Sequence, residues 1–576
     1  MFNPRSKTVL FFIFWLNILI STSTLATTYY VDATNGLDNN EGTSETDAWK
    51  TIAKVNTSSF KPGDQILFKR GEIWREQLTV SSSGIIGNPI TFGAYGNGAL
   101  PIINGSDTIT GWTAESLGLF SVYYTTTSAN PNQVFENNLL LDRNISSKES
   151  LTVGQWCWDS SKMRVYIRTT GDKSPSNYIM EVPARDYGAK SYLRDNITFS
   201  DIHFTKTAIA GLRLANASNL TIKGVLADFN GSQGISIYSD DAETDSDIIV
   251  EGVTCSYNGT RGLYLAEYIH DVDIYDSTFD HNGQNPESTY SSGVYIASAD
   301  QTLYGVTVRN NVAAYNGMKS DNVTPIGDLG WTGYGIWFDT TGSNSGADPN
   351  IVRSNTVYGN RSAGIEMENT LGDVVEYNLA YDNLTAGIEV SCSHTDYPSI
   401  GVKVYNNTST RNVMFGLHVQ TGGSDKAGIS NTIVKNNILV GNLGVNLSAV
   451  AGGDNVTDAN GIGSGNVYTY NCMGPGPQAT NFIEWGRTRF STYNAWETAY
   501  GGKTHSIEAD PQFISSSDFH LQENSPCINA GDDVGFTTDI EGKTIFDKTI
   551  GAYSNPTSAP SHLAAPKNFI YLNVTY

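Results

Sequence analysis

The feature that most constrains this chain is a short phrase spoken repeatedly along its middle, a glycine followed by strict alternation of apolar and outward residues. It reads Gly335-Ile336-Trp337-Phe338-Asp339, then Gly364-Ile365-Glu366-Met367-Glu368, then Gly387-Ile388-Glu389-Val390-Ser391. Alternation with period 2 is the signature of a strand with one buried face. Further copies begin at Gly211, Gly234, Gly262 and Gly293 upstream and at Gly416 downstream.

Most copies are preceded by a second apolar strand and then an asparagine. The asparagines are Asn230, Asn258, Asn282, Asn316, Asn360, Asn383, Asn412 and Asn442, at successive steps of 28, 24, 34, 44, 23, 29 and 30 residues. A floor near 23 with variable excess describes a rung of fixed geometry carrying loops of free length. Stacked rungs bury one continuous core, and aligned asparagines can hydrogen-bond along the stack. The expected fold is all-β, a right-handed parallel β-helix with an inserted β subdomain.

The chain has 576 residues, ample for a solenoid with insertions. Its net charge of -23 excludes nucleic acid and anionic membrane surfaces as natural partners, because both demand basic patches. The same charge opposes long-range attraction of a polyanionic substrate unless a cation mediates it. Residues 1–26 pass from Arg5 and Lys7 through the apolar run Val9–Ile20 to Ser23-Thr24-Leu25-Ala26. That is the pattern of a secretory signal, too short for a membrane span, so the protein is expected to be secreted, or to be periplasmic or on the cell surface. Five widely spaced cysteines form no CxxC pair, which argues against a thiolate metal cluster and allows at most one or two disulfides, with Cys255 assigned to the core. Asn-x-Ser/Thr triplets occur at Asn196, Asn219, Asn258, Asn322, Asn360 and Asn446, some of them on the expected ladder.

Taken in order, the chain divides into a signal (1–26), an N-terminal cap with the first coils (27–109), the inserted subdomain (110–185) and the central coils (186–450). A Gly-rich and aromatic insertion (451–505), C-terminal coils (506–553) and a linker or tail (554–576) follow. A short helix is expected at Ala48–Ile52 and an amphipathic one near Phe490–Ala499. The phrases Tyr29-Tyr30-Val31-Asp32, Pro62-Gly63-Asp64-Gln65-Ile66-Leu67-Phe68 and Asn88-Pro89-Ile90-Thr91 resemble the N-terminal coils of secreted β-helix proteins of the pectin-lyase-like superfamily. The resemblance resumes through the coils to about residue 553. It implies the fold and leaves the reaction open.

The outward positions of the repeated phrase carry the candidate chemistry. In the expected register Trp337, Glu366, Glu389 and His418 form one column, continued upstream by Tyr295, Tyr264, Ser236 and Arg213. Asp339, Glu368, Ser391 and Gln420 form the second. Four carboxylates on one patch are costly unless something uses them, because like charges push each other's pKa values apart. Asp339 is the expected nucleophile or base and Glu368 or Glu366 the general acid, with Trp337, Tyr295, Tyr264, Glu389 and His418 as substrate-binding residues. The Asp339 and Glu366-Met367-Glu368 phrases resemble β-helix glycosidases such as certain β-xylosidases. This implies a glycoside hydrolase acting on a polysaccharide or oligosaccharide, without a cofactor and as a monomer.

Two other readings stand beside it. Glu366-Met367-Glu368 also resembles the Glu-x-Glu calcium pair of the alginate lyase and chondroitinase B family, which implies Ca2+ held by Glu366, Glu368 and Glu389. That family has a lysine shortly after the pair, where this chain has Asn369-Thr370-Leu371-Gly372-Asp373. No arginine or lysine stands on the outer columns between Tyr264 and Gln420, although Lys426 or Arg361 could reach in from loops. The third reading is a non-catalytic carbohydrate-binding or adhesin solenoid.

Overall fold

The computed structural model describes residues 26–118, 120–240, 245–327, 330, 332–342, 348–421, 426–442, 454–458, 464–474, 483–485 and 488–555. Nearly all of the predicted signal, Trp331, Asn446 and the predicted tail beyond residue 555 lie outside them.

Three long sheets, of 13, 13 and 11 strands, run the length of the molecule, and their internal order follows the chain coil by coil. Each central coil contributes one short strand to each sheet, and the pairing between coils is parallel. This is the expected right-handed parallel β-helix. The alternating phrase explains the layering: Ile336, Phe338, Ile365, Met367, Ile388 and Val390 are all fully buried in one continuous core. The strands that carry the candidate site are β1 (Arg261–Glu267), β2 (Ser291–Ala297), β3 (Thr332–Asp339), β4 (Ile365–Glu368), β5 (Ala386–Cys392) and β6 (Phe415–Thr421).

The glycine that opens each phrase is required by proximity. A Cβ on Gly335 would lie 2.4 Å from the Gly364 carbonyl oxygen and 2.9 Å from the Asn360 amide nitrogen; one on Gly364 would meet the Asn383 amide nitrogen and the Gly387 carbonyl oxygen at 2.8 Å. No side chain fits between rungs at this corner.

The asparagines form the expected ladder. The backbone N–H and side-chain amide of Asn316 both donate to Asn360 Oδ1, at 3.1 and 2.9 Å, and the same amide reaches the Phe279 carbonyl at 3.1 Å. The pattern repeats through Asn360, Asn383 and Asn412. A second ladder, not anticipated, runs through Asn311, Asn355, Asn378, Asn407, Asn437 and Asn471 at the preceding corner. Its signal was in the sequence, because from Asn311 to Asn437 each member stands five residues before one of the first ladder. Asn258 and Asn360 are fully buried rungs, so those two triplets are closed to glycosylation in the folded chain, whereas Asn322 is exposed.

Residues between Ser106 and Pro183 form two mostly antiparallel sheets of five and four strands with their own core around Val134, Leu141, Trp156, Val165 and Ile167. This subdomain is tied to the coils by ion pairs from Arg143 to Glu287 and from Lys319 to Asp142. One expectation is corrected. The first helix is α1 (Ile52–Asn56), because the Thr51 side chain accepts from Lys54 N–H and fixes the start there. Ala48–Ile52 itself is extended at Trp49, which bridges Val31. All five cysteines are buried free thiols, so no disulfide is present among the described residues. The second helix, α2 (Tyr493–Tyr500), lies close to its expected position, capped by Thr492 and by Gly501 at φ 102°.

Asn360→Ala would strip the acceptor from two buried donors of Asn316 and remove the donors serving Ala313 and Asn383. Leaving buried donors unpaired costs roughly 1–3 kcal/mol each, so the variant should unfold at a clearly lower urea concentration than wild type. An unchanged midpoint would show that the ladder contributes nothing to stability.

Candidate active site

The register places the acidic residues side by side. Asp339 is the lateral partner of Glu368 and Trp337 of Glu366. Glu366 pairs with Glu389, and Glu389 with His418. Neighbouring parallel strands are about 4.8 Å apart, so acids separated by 23 to 29 residues of chain become immediate neighbours.

The patch is covered, in contrast to an open solvated face. Glu366, Glu368 and Glu389 are all buried; Asp339, at the end of β3, alone of the four keeps intermediate exposure. Its Oδ2 accepts from Tyr295 Oη at 2.7 Å, and its Oδ1 from Thr340 Oγ1 at 2.9 Å and Asn369 Nδ2 at 3.4 Å. Glu368 accepts from Trp337 Nε1 at 3.0 Å and from Ser393 Oγ. Burial, reinforced by the charge of Asp339, nevertheless pushes its carboxyl up to about 7.

Glu366 and Glu389 form a second pair. Burial first, then the charges of Glu389 and Glu368, drive Glu366 well above the usual carboxylate range. One Glu366 oxygen accepts from Ser391 Oγ and the other faces no donor, the arrangement of a protonated carboxyl. Burial also opposes charge on Glu389, but the His418 charge and hydrogen bonds from His418 and Gln420, at 3.1 and 2.7 Å, leave it below its ordinary value. His418 stacks on Phe415 with 4.1 Å between ring centres. Among the described residues Glu366, Glu368 and Glu389 do not converge as a metal-binding group. Protein donors engage both Glu368 oxygens and one oxygen each of Glu366 and Glu389.

The aromatic run exists, with its roles redistributed. Trp337 is 1% exposed, so its ring offers no face to a sugar; it is packed among Tyr290, Tyr295 and Tyr334 and holds Glu368 through its indole N–H. Tyr295 is also buried, and Tyr264 lies beside it with ring centres 5.8 Å apart. The exposed ring is Tyr290, 48% exposed and stacked on Trp337, a loop residue outside the strand pattern. A second omission is Arg261 at the start of β1: off the two columns, it reaches over both tyrosines, with its guanidinium carbon 4.7 Å from the Tyr264 ring centre and 4.5 Å from that of Tyr295. Arg361 is directed elsewhere, to the Ile326 carbonyl. A cavity of about 150 Å³ between the inserted subdomain and the coils, lined by Gln133, Arg143, Trp156 and Asn285, contains none of the four acids.

A raised Glu368 pKa has a consequence for stability. Relative to an unfolded glutamate, the folded state holds its proton more tightly, so ionising Glu368 costs folding stability as pH rises from about 4.5 to about 7. Glu368→Gln should remove that component: its melting temperature should gain on wild type between pH 5 and pH 8. Parallel melting curves would contradict the raised pKa.

Residues 340–462 match the family model described as "Right handed beta helix region". A segment of 81 residues is 40% identical to a lacto-N-biosidase of Bifidobacterium longum subsp. longum, covering 13% of this chain and only 5% of that protein's length. The solved complex of XylC with xylose is similar over 92% of this chain and 98% of its own, at 13% identity and a TM-score of 0.61. A GH136 lacto-N-biosidase from Eubacterium ramulus overlaps 80% of this chain and 68% of its own at 15% identity and a TM-score of 0.48. The architecture and the overlap with XylC place the chain, by fold, among right-handed parallel β-helix proteins.

Proposed function

We propose that this protein is a glycoside hydrolase, and that Asp339 and Glu368 perform the cleavage. The observation that carries the reading is the unequal surroundings of two carboxyls at adjacent positions. Asp339 is half open and fed by three donors, while Glu368 is buried and proton-holding up to about pH 7. Glycosidic cleavage requires one ionised and one protonated carboxyl. The short identity to a lacto-N-biosidase supports chemistry on saccharides.

Adjacent rungs favour retention, for which carboxyl groups about 5–5.5 Å apart are the rule. In that mechanism the Asp339 carboxylate attacks the anomeric carbon while Glu368 delivers its proton to the departing glycosidic oxygen. A water then enters, gives a proton to the Glu368 carboxylate, and its oxygen displaces Asp339 from the anomeric carbon. Both groups return to their starting states. Tyr295, Thr340 and Asn369 hold Asp339, and Trp337 and Ser393 hold Glu368, so both are pre-aimed. We assign Glu366 and Glu389 to shaping the local field, because they are lateral partners of each other and take their donors from Ser391, His418 and Gln420. A secreted location accompanies this proposal as the natural setting for such an enzyme.

The test uses aryl glycosides of several sugars. Glu368→Gln should lower kcat by about 10²–10⁴ on substrates with poor leaving groups, and much less on activated aryl groups that need no protonation. Asp339→Asn should abolish turnover on both. Wild-type activity should fall above pH 7 as Glu368 loses its proton, and proton NMR of the first product should show the starting anomeric configuration. An unsaturated product absorbing in the ultraviolet would replace this reading with elimination, and full activity in both variants would remove these residues from the reaction.

A further inference from the structure

Arg261 is an anomaly that the proposed cleavage does not use. Among the described residues every other arginine has a hydrogen-bonding or ionic partner for its side chain, as Arg213 has Ser236, Arg309 has Asp273, Arg353 has Glu376 and Arg411 has Asp382. Arg261 has none. Its Nε is buried without an acceptor, and its only contacts of note are the faces of Tyr264 and Tyr295. Removing a cation from water without a counter-charge is unfavourable, and two ring faces offset only part of that cost. The burial accordingly pulls the guanidinium below its ordinary basicity, against the opposing influence of the tyrosines and Asp339.

The local anion does not fill the gap. Asp339 feels the charge of Arg261, but its oxygens are taken by Tyr295, Thr340 and Asn369, with Tyr295 standing between the two groups. The guanidinium is thus held one ring away from the reacting carboxylate with its N–H fork unspent. A guanidinium only donates, and its planar fork matches the two oxygens of a carboxylate or of a sulfate ester. Sugar hydroxyls would meet its hydrogen-bonding capacity and leave its charge uncompensated.

We infer that Arg261 anchors an anionic substituent, a carboxylate or a sulfate ester, on the saccharide that meets Asp339. The substrate class is then an acidic glycoside, and Arg261, which alone of the described arginines lacks a polar partner, supplies the attraction that the net charge of -23 would otherwise deny it. The inference rests on Asp339 as the group that meets the sugar, and its binding test is independent of cleavage.

The experiment has two arms. In the first, Glu368→Gln is titrated calorimetrically with glucuronate, with glucose 6-sulfate and with xylose, the last having the same ring without the carboxylate. Glucuronate or glucose 6-sulfate should bind about ten- to a hundredfold more tightly than xylose, as expected for a charge-assisted pair, and whichever does so identifies the substituent. In the second, kcat/KM of wild type, Arg261→Gln and Arg261→Lys is compared on aryl glucuronide, aryl 6-sulfoglucoside and aryl xyloside. The ratio of charged to neutral substrate should exceed ten in wild type, collapse toward one in Arg261→Gln and recover partly in Arg261→Lys. The lysine variant serves if the glutamine variant melts early. Tighter binding of the anionic sugar without any bond cleavage would keep the anchor and sink the hydrolase. Efficient cleavage with a ratio near one, unchanged in Arg261→Gln, would keep the hydrolase and overturn the anchor.

Discussion

Parallel stacking of rungs, locked by buried amides at their corners, is the constraint on which everything else depends. A β-helix has no register until something fixes it, and a slip by one residue would turn every inward Ile and Val outward. Each ladder asparagine satisfies a backbone donor of the preceding rung, its own side-chain donors and a carbonyl of that same preceding rung, so the corners cannot slide. The glycine beside each corner lets the rungs approach, because any Cβ there would meet a carbonyl oxygen. The functional patch inherits that rigidity: Asp339 and Glu368 face each other because Gly335 and Gly364 do.

On this scaffold the acidic patch gives unequal environments to similar groups. Four carboxylates are gathered, yet the burial of Glu366 and Glu368 raises both while His418 and Gln420 hold Glu389 charged. Asp339 sits at the margin with donors on both oxygens. Burial, which would be prohibitive for four charges, here sorts them into proton-holding and ionised members. The cover of the patch is therefore what distinguishes its members, since a solvated face would have left all four carboxyls alike.

Much of this was legible before any coordinates. The columns Trp337-Glu366-Glu389-His418 and Asp339-Glu368-Ser391-Gln420 follow from counting along the repeated phrase, and the structure pairs them in that order. The eight asparagines likewise announced their ladder. What escaped were properties of residues outside the period: Tyr290 in a loop, Arg261 at a strand edge and the second ladder one corner earlier. Trp337 was legible in position and not in role, because period 2 tells which face a ring is on and not whether loops from other coils bury it.

The sequence by itself determined the fold and the lateral neighbours of each acid, because a repeat with a fixed strand phrase admits only one way to bury its apolar face. Only the tertiary structure decided which acids are desolvated, which ring is open and, among the described residues, which guanidinium lacks a polar partner. Those properties depend on desolvation and on donors such as Ser393, Asn369 and Tyr295, which approach from other coils through loops of no fixed length. Periodicity cannot encode such contacts, because they are set by distances in space that the spacing along the chain does not contain.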